Sequence, residues 1–184
     1  VLVVLAVAII LVLFSFSPFF KNPRTHTSVE ISNEATSTSK LREEAPEASL
    51  SGEVVTVVRV IDGDTIDIEG GRRVRYIGMD TPEMGDARKG AECFAQEATE
   101  ENKRLLDGKM VRLEKDISDI DQYGRLLRYV SIASPAGQLV NDYLVSQGFA
   151  RVDTVPPDVG HQEQLLAAER EAREQKRGMW AGCY

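Results

Sequence analysis

The step Asp62-Gly63 is what most limits how this chain can fold. It separates the valine-rich run Glu53–Val60 from the isoleucine-containing run Thr65–Ile68. Asp-Gly between two β-rich runs is the strongest short-range hairpin signal, because both residues tolerate the positive φ angles of a tight turn between twisted strands. Three more runs share this character, Arg72–Ile77, Met110–Lys115 and Arg125–Ile132, with Gly-Gly and Tyr-Gly steps between them. Helical spacing is read in Gly90–Leu106, Gln138–Ser146 and Gln162–Arg177, which stop at Asp107-Gly108, Gly148 and Gly178. Three strands, a helix, two strands and two helices make an α+β order. It suits a small closed barrel with helices packed on it.

Two segments precede that domain. Residues 1–20 are apolar apart from Ser15, Ser17 and Pro18. At 1.5 Å per residue such a helix would cross a hydrocarbon core of roughly 30 Å. The run predicts a transmembrane anchor or a signal segment, hence a membrane-anchored domain outside the cytoplasm or a secreted one. Residues 21–51 are rich in Ser, Thr, Glu, Asn and Pro and read as a flexible linker. The folded domain is then 52–184.

Charge and ligand counts exclude several classes. With 22 basic and 29 acidic residues the chain carries −7, which argues against coating nucleic acid by bulk charge but leaves room for a local basic pocket. Two histidines, and cysteines only at 93 and 183, leave no zinc-site spacing.

The chemistry gathers in three stretches. In Ile61–Thr65 and just beyond, Asp62, Asp64 and Asp67 place three carboxylates within six residues. Their repulsion would be relieved by a hard cation. An EF-hand loop is excluded, since Ile66 and Asp67 stand where it needs an oxygen ligand and a glycine. In Arg75–Glu83, Pro82 stiffens the turn after a strand carrying Arg75, and Asp80 and Glu83 sit on the corner. A guanidinium, a cation-binding carboxylate and a second carboxylate able to activate water suit phosphodiester hydrolysis. In Asp121–Arg125 a turn delivers Arg125 to the mouth of a strand, where its planar donors match a phosphate.

These stretches, IDGDT (61–65), RYIGMDTPE (75–83) and DQYGRL (121–126), with QLVNDYLVSQGFA (138–150) and the final Gly178-Met179-Trp180, resemble the staphylococcal nuclease (thermonuclease) family in order and spacing. The resemblance implies a five-stranded oligonucleotide/oligosaccharide-binding (OB) barrel with three helices. It implies a Ca2+-dependent nuclease acting on DNA and/or RNA and leaving 3′-phosphate and 5′-hydroxyl ends. By that resemblance Asp64, Asp80 and the Thr81 carbonyl hold calcium, and Asp62 orients metal-bound water. Glu83 is the general base, Arg75 and Arg125 grip the scissile phosphate, and Tyr123 stacks on or bonds to substrate. No obligate protein partner is implied, and a monomer is expected. The other reading is a catalytically silent nuclease-like module that binds nucleic acid or protein. One departure stands out: the family prototype has two tyrosines flanking the nucleotide, whereas residues 152–157 here hold no aromatic.

An export-type N-terminus places the domain in an oxidising space. The only two cysteines are therefore expected to pair, Cys93 early in the first helix with Cys183 after the last, in a bond lying away from the cleft.

Overall fold

A computed structural model describes residues 52–135 and 137–183. The expected anchor and linker, residues 1–51, lie outside the described residues. Five strands close a barrel in the order β1 (Glu53–Val60), β2 (Thr65–Ile68), β3 (Arg72–Tyr76), β6 (Leu126–Ile132), β5 (Met110–Glu114) and back to β1. All pairings are antiparallel except β3 with β6. That parallel pair needs a crossover. The short strand β4 (Met79–Asp80), the helix α1 (Ala95–Leu106) and β5 supply it.

Alternation fills the barrel. Val55 and Val57 of β1, Ile66 and Ile68 of β2, Val74 and Tyr76 of β3 and Val111 and Leu113 of β5 all point inward and are buried. In β1 the register slips between Val57 and Arg59, so Val60 is the next inward residue and Arg59 stays outside opposite Asp67. A bulge of this kind adds one residue and re-aims the strand. Helix α1 covers one part of the core with Leu105 and Leu106. Helix α2 (Val140–Ser146) adds Val140 and Leu144, and α3 (Gln162–Glu174) adds Leu165. Truncating fully buried Leu106 to alanine should cost about 2–5 kcal/mol.

Four of the five strands begin where the sequence places them; β6 starts one residue late, at Leu126, and β3 and β5 each stop one residue early. The first helix differs more: it starts at Ala95, not Gly90. Gly85 has φ 72°, and an added Cβ there would lie 2.2 Å from the Lys89 carbonyl oxygen. Asp86 then accepts from the Arg88 and Lys89 N–H groups, so residues 85–90 form a compact turn ahead of the helix. Leu139 is drawn into a bridge with Ser131, delaying α2. Sequence periodicity also missed a second sheet, in which β4 pairs with β7 (Arg151–Val152).

Candidate active site

The hairpin between β1 and β2 forms the floor of the site. Asp62 Oδ1 accepts the Asp64 N–H at 3.1 Å, fixing the turn locally. Gly63 is needed for packing: a Cβ there would meet the Thr81 side chain at 2.6–2.7 Å. That close approach seats Thr81 over Asp64, whose Oδ2 accepts both the Thr81 N–H (3.0 Å) and the Thr81 hydroxyl (2.9 Å). Asp64 is only 4% exposed. Burial pushes its pKa up to about 6; the Asp62 charge adds to this, while Arg75 and the Thr81 bonds oppose it.

Arg75 leaves β3 directly opposite Thr65. Its Nη1 lies 2.7 Å from Asp64 Oδ2, and its Nη2 donates to Asp80 Oδ1 at 2.9 Å. Nη1 also donates to the Met79 carbonyl at 3.1 Å. One guanidinium thus spans the two carboxylates that the sequence singled out as cation ligands. Guanidinium carries five N–H donors, so by count Nε–H and one Nη2–H remain for a substrate oxygen. Asp80 is held on its other side too, with Arg151 Nη2 2.6 Å from Oδ2 across the β4–β7 pair. The sequence reading missed Arg151, because a two-residue strand leaves no periodic trace.

Asp67 does not join this group. It faces outward, paired with Arg59 (2.7 Å) and Arg73 (2.7 Å). Its repulsion with Asp62 and Asp64 is relieved by arginines, because strand alternation turns it away from the turn. Among the described residues no set of three or more His, Cys, Asp or Glu side chains converges as a metal cluster. A cation here would have Asp64, Asp80 and backbone oxygen as donors, an all-oxygen set that suits a hard ion.

Glu83 is exposed. Its carboxylate makes no hydrogen bond or ion pair among the described residues, whereas its backbone is clamped. Glu83 N–H donates to Glu92 Oε2 at 3.1 Å, and Glu92 N–H donates to the Glu83 carbonyl at 2.8 Å.

Arg125 stands at the mouth of β6, as expected. Its Nε donates to Asp121 Oδ2 at 2.6 Å, and its guanidinium carbon lies 5.4 Å from the Tyr123 ring centre. Tyr123 is 75% exposed. Burial raises the Asp121 pKa, but bonds from the Arg125 backbone and side chain and the Tyr123 N–H outweigh it, and the net direction is downward. Arg75, Arg125 and Tyr123 border a cleft of about 570 Å³ that Val155 and Pro156 also line. Aliphatic side chains line this cleft from the stretch where the sequence offers no aromatic.

Two buried asparagines brace the floor from behind. Asn102 of α1 donates to the Asp62 carbonyl (2.9 Å) and accepts from the Tyr76 hydroxyl (3.0 Å). Asn141 of α2 donates to the Ile77 carbonyl (2.9 Å) and accepts the Val130 N–H (2.9 Å). A polar residue on the apolar stripe of each helix, beside Leu105 and Leu144, is the signal that could have found them.

Cys93 and Cys183 are bonded. Cys93 precedes the first helix instead of lying within it, since Phe94 is left-handed (φ 73°) and the helix starts at Ala95. The bond does not line the 570 Å³ cleft; both cysteines line a separate 270 Å³ cavity together with Asp80, Glu92 and Arg151. The turn at Gly85 brings the chain back beside β4, and this linear spacing could not show.

The model of the family described as staphylococcal nuclease homologue matches residues 73–182. A thermonuclease of Staphylococcus hyicus is 37% identical over 128 residues, covering 68% of this chain and 74% of the relative. A thermonuclease of Staphylococcus intermedius is 36% identical over 132 residues, covering 70% and 77%. Endonuclease YncB of Bacillus subtilis is 37% identical over 132 residues, covering 69% and 61%. Family model, relatives and closed five-stranded barrel agree: the chain belongs to the staphylococcal nuclease family.

Proposed function

We propose that this protein is a Ca2+-dependent nuclease that hydrolyses phosphodiester bonds of DNA and/or RNA to 3′-phosphate and 5′-hydroxyl ends. The observation that carries the reading is the convergence of Asp64 and Asp80 on the Arg75 guanidinium, with Arg75 and Arg125 bordering one cleft. Relatives named thermonuclease and endonuclease point the same way.

In this reading Glu83 takes a proton from a water, whose oxygen attacks phosphorus while the bond to the 5′ oxygen breaks. The remaining donors of Arg75 and those of Arg125 neutralise charge building on the phosphoryl oxygens. Tyr123 gives a base a face to stack on, and Val155 and Pro156 stand in for the absent aromatics in the same cleft. Asp64, Asp80 and the Thr81 carbonyl hold the ion, with Asp62 beside them. In that place a calcium ion, when bound, would supply positive charge for the phosphate and lower the pKa of nearby water. The donor chemistry fits: Asp64 and Asp80 share the Arg75 guanidinium, Asp80 also meets Arg151, and Asp64 is buried with its pKa pushed up by that burial and by the Asp62 charge.

The same residues come from one chain, so a monomer suffices. The apolar run 1–20 supports a domain anchored at a membrane or released across it; carbonate extraction of the expressed chain separates the two.

The test is release of acid-soluble nucleotides from DNA and from RNA in calcium, in magnesium and in chelator. Calcium-dependent release, with 5′ ends that accept phosphate without prior phosphatase treatment, is the expected result. Full activity in magnesium alone overturns the calcium assignment, because magnesium dehydrates reluctantly and demands a stricter octahedron. Calcium-dependent binding without cleavage identifies the silent module.

A further inference from the structure

The Cys93–Cys183 bond joins the very segment that holds Glu83. Among the described residues the exposed Glu83 carboxylate has no hydrogen bond or ion pair, only the nearby Lys89 charge, so where it can reach is set by the placement of its backbone. That backbone is held at both ends by Glu92: the N–H by Glu92 Oε2 at 3.1 Å and the carbonyl by the Glu92 N–H at 2.8 Å. Glu92 is in turn steadied by Lys89, whose Nζ lies 2.6 Å from Oε1, but this pair is exposed and weak by itself. The next residue is Cys93. Its sulfur is bonded to Cys183, and the Cys183 N–H donates to the Gly178–Ala181 turn at the Met179 carbonyl (2.9 Å). Met179 is buried, and its own N–H donates to the Gly148 carbonyl (2.9 Å). A continuous chain of fixed points therefore runs from the protein core through the disulfide to Glu92 and Glu83. The same disulfide walls the 270 Å³ cavity that also holds Asp80 and Arg151.

We propose that Glu92 is a positioning residue for Glu83, that the Cys93–Cys183 bond is what keeps Glu92 in place, and that turnover is therefore gated by the thiol–disulfide state of this pair. The proposal rests on Glu83 acting as the base. Opening the switch is ordinary thiol–disulfide exchange: a dithiol gives up two electrons and two protons and becomes a cyclic disulfide, while the Cys93–Cys183 bond breaks to two thiols. Once cut, residue 93 is no longer tied to the C-terminal turn. The far end of the 83–92 loop is then held only by the Ala95 N–H on the Glu92 carbonyl (3.1 Å) and by the Phe94–Phe149 stack (5.6 Å), and Glu83 samples directions away from the attacking water. Arg75, Arg125, Asp64 and Tyr123 are held by other elements, so substrate binding should survive. Displacement of a reacting group by about 1 Å can cost about 100-fold. A loss of about 10–100-fold in kcat with KM nearly unchanged is thus the expected signature.

The experiment compares oxidised protein, protein reduced with dithiothreitol, and the C93A/C183A variant, each with and without E83Q. Oligonucleotide cleavage is assayed in calcium at low temperature, with Trp180 fluorescence confirming the folded state. Reduction should lower kcat in the parent enzyme and cost nothing further once Glu83→Gln is present, because the bond acts through Glu83. Equal fractional losses with and without E83Q, or unchanged kcat in folded reduced protein, overturn the proposal. A loss seen in KM instead of kcat overturns it as well. If E83Q itself keeps full turnover, it is the assignment of Glu83 as base that fails. Should the cysteine variant not fold, Glu92→Ala in the oxidised protein provides the second test. It should reproduce the kcat loss, and Glu92→Gln, which keeps an oxygen acceptor for the Glu83 N–H, should recover most of it. Identical kinetics for the two Glu92 variants would remove Glu92 from the positioning role.

Discussion

The two arginines assigned to the phosphate live in opposite surroundings. Arg75 is 16% exposed and locked between Asp64 and Asp80. Arg125 is 29% exposed, held by one carboxylate and leaning on an exposed ring. Their partners titrate in opposite directions. Burial dominates at Asp64 and raises its pKa to about 6, whereas hydrogen bonds outweigh burial at Asp121 and lower it. The difference separates two ways of presenting a cation. The Arg75 group is part of the folded core and is costly to disturb. The Arg125 group is a rim device whose loss the fold can absorb.

The sharpest way to break this comparison is Arg75→Ala against Arg125→Ala. Each should lower turnover about 10²–10³-fold, the usual cost of one preorganised donor at developing charge. Only Arg75→Ala should also destabilise strongly, by about 3–5 kcal/mol, because it leaves Asp64 buried without its counter-charge. Thermal unfolding alongside steady-state kinetics checks this; equal stability losses would erase the distinction.

The pH dependence sharpens it next. Asp64 has a folded pKa above its ordinary value of 3.8. In chelator, its contribution should therefore favour the fold at about pH 4 and fade as pH rises through about 6, a span worth about 3 kcal/mol. Asp64→Asn should flatten this slope in urea titrations at a series of pH values. Asp121, lowered instead, should contribute stability above the ordinary carboxylate range and lose it as pH falls further. An unchanged slope in D64N would mean that burial does not dominate at this carboxylate.

Tyr123→Ala probes the rim itself. Loss of one stacking face should weaken single-stranded oligonucleotide binding by about 1–3 kcal/mol and leave the melting temperature within error. Tyr123→Phe should bind as the parent does if stacking, not the hydroxyl, is what matters.

The smallest effect is expected from Arg59→Ala. Its pair with Asp67 lies on the outer barrel wall, so stability should change by less than about 1 kcal/mol and turnover not at all. A marked drop in activity would extend the functional surface past the cleft to the outside of β1 and β2.

Much of this was legible beforehand because it is local. Alternating apolar residues mark the barrel strands, and Asp-Gly fixes the first hairpin. The stretches 61–65, 75–83 and 121–126 carry the candidate residues at short range, where turn chemistry dictates geometry. The first helix was read five residues too long because periodicity does not register the left-handed Phe94 (φ 73°), after which the helix starts at Ala95.

The sequence by itself determined which strands form, where the chain turns, that cysteines 93 and 183 could pair, and which acids and arginines stand at turn positions. These follow from one- to five-residue spacings and from side-chain preference. Only the tertiary structure decided which charges meet. Asp67 was sent outward to Arg59 and Arg73 by strand alternation and cross-strand register. Arg151 was brought to Asp80 by pairing across 71 residues. Asn102 reached the Asp62 carbonyl across 40 residues, and the disulfide came to rest beside Glu92 and Asp80. Charge pairing and desolvation depend on distances between segments far apart in the chain, and barrel closure, not local propensity, sets those distances.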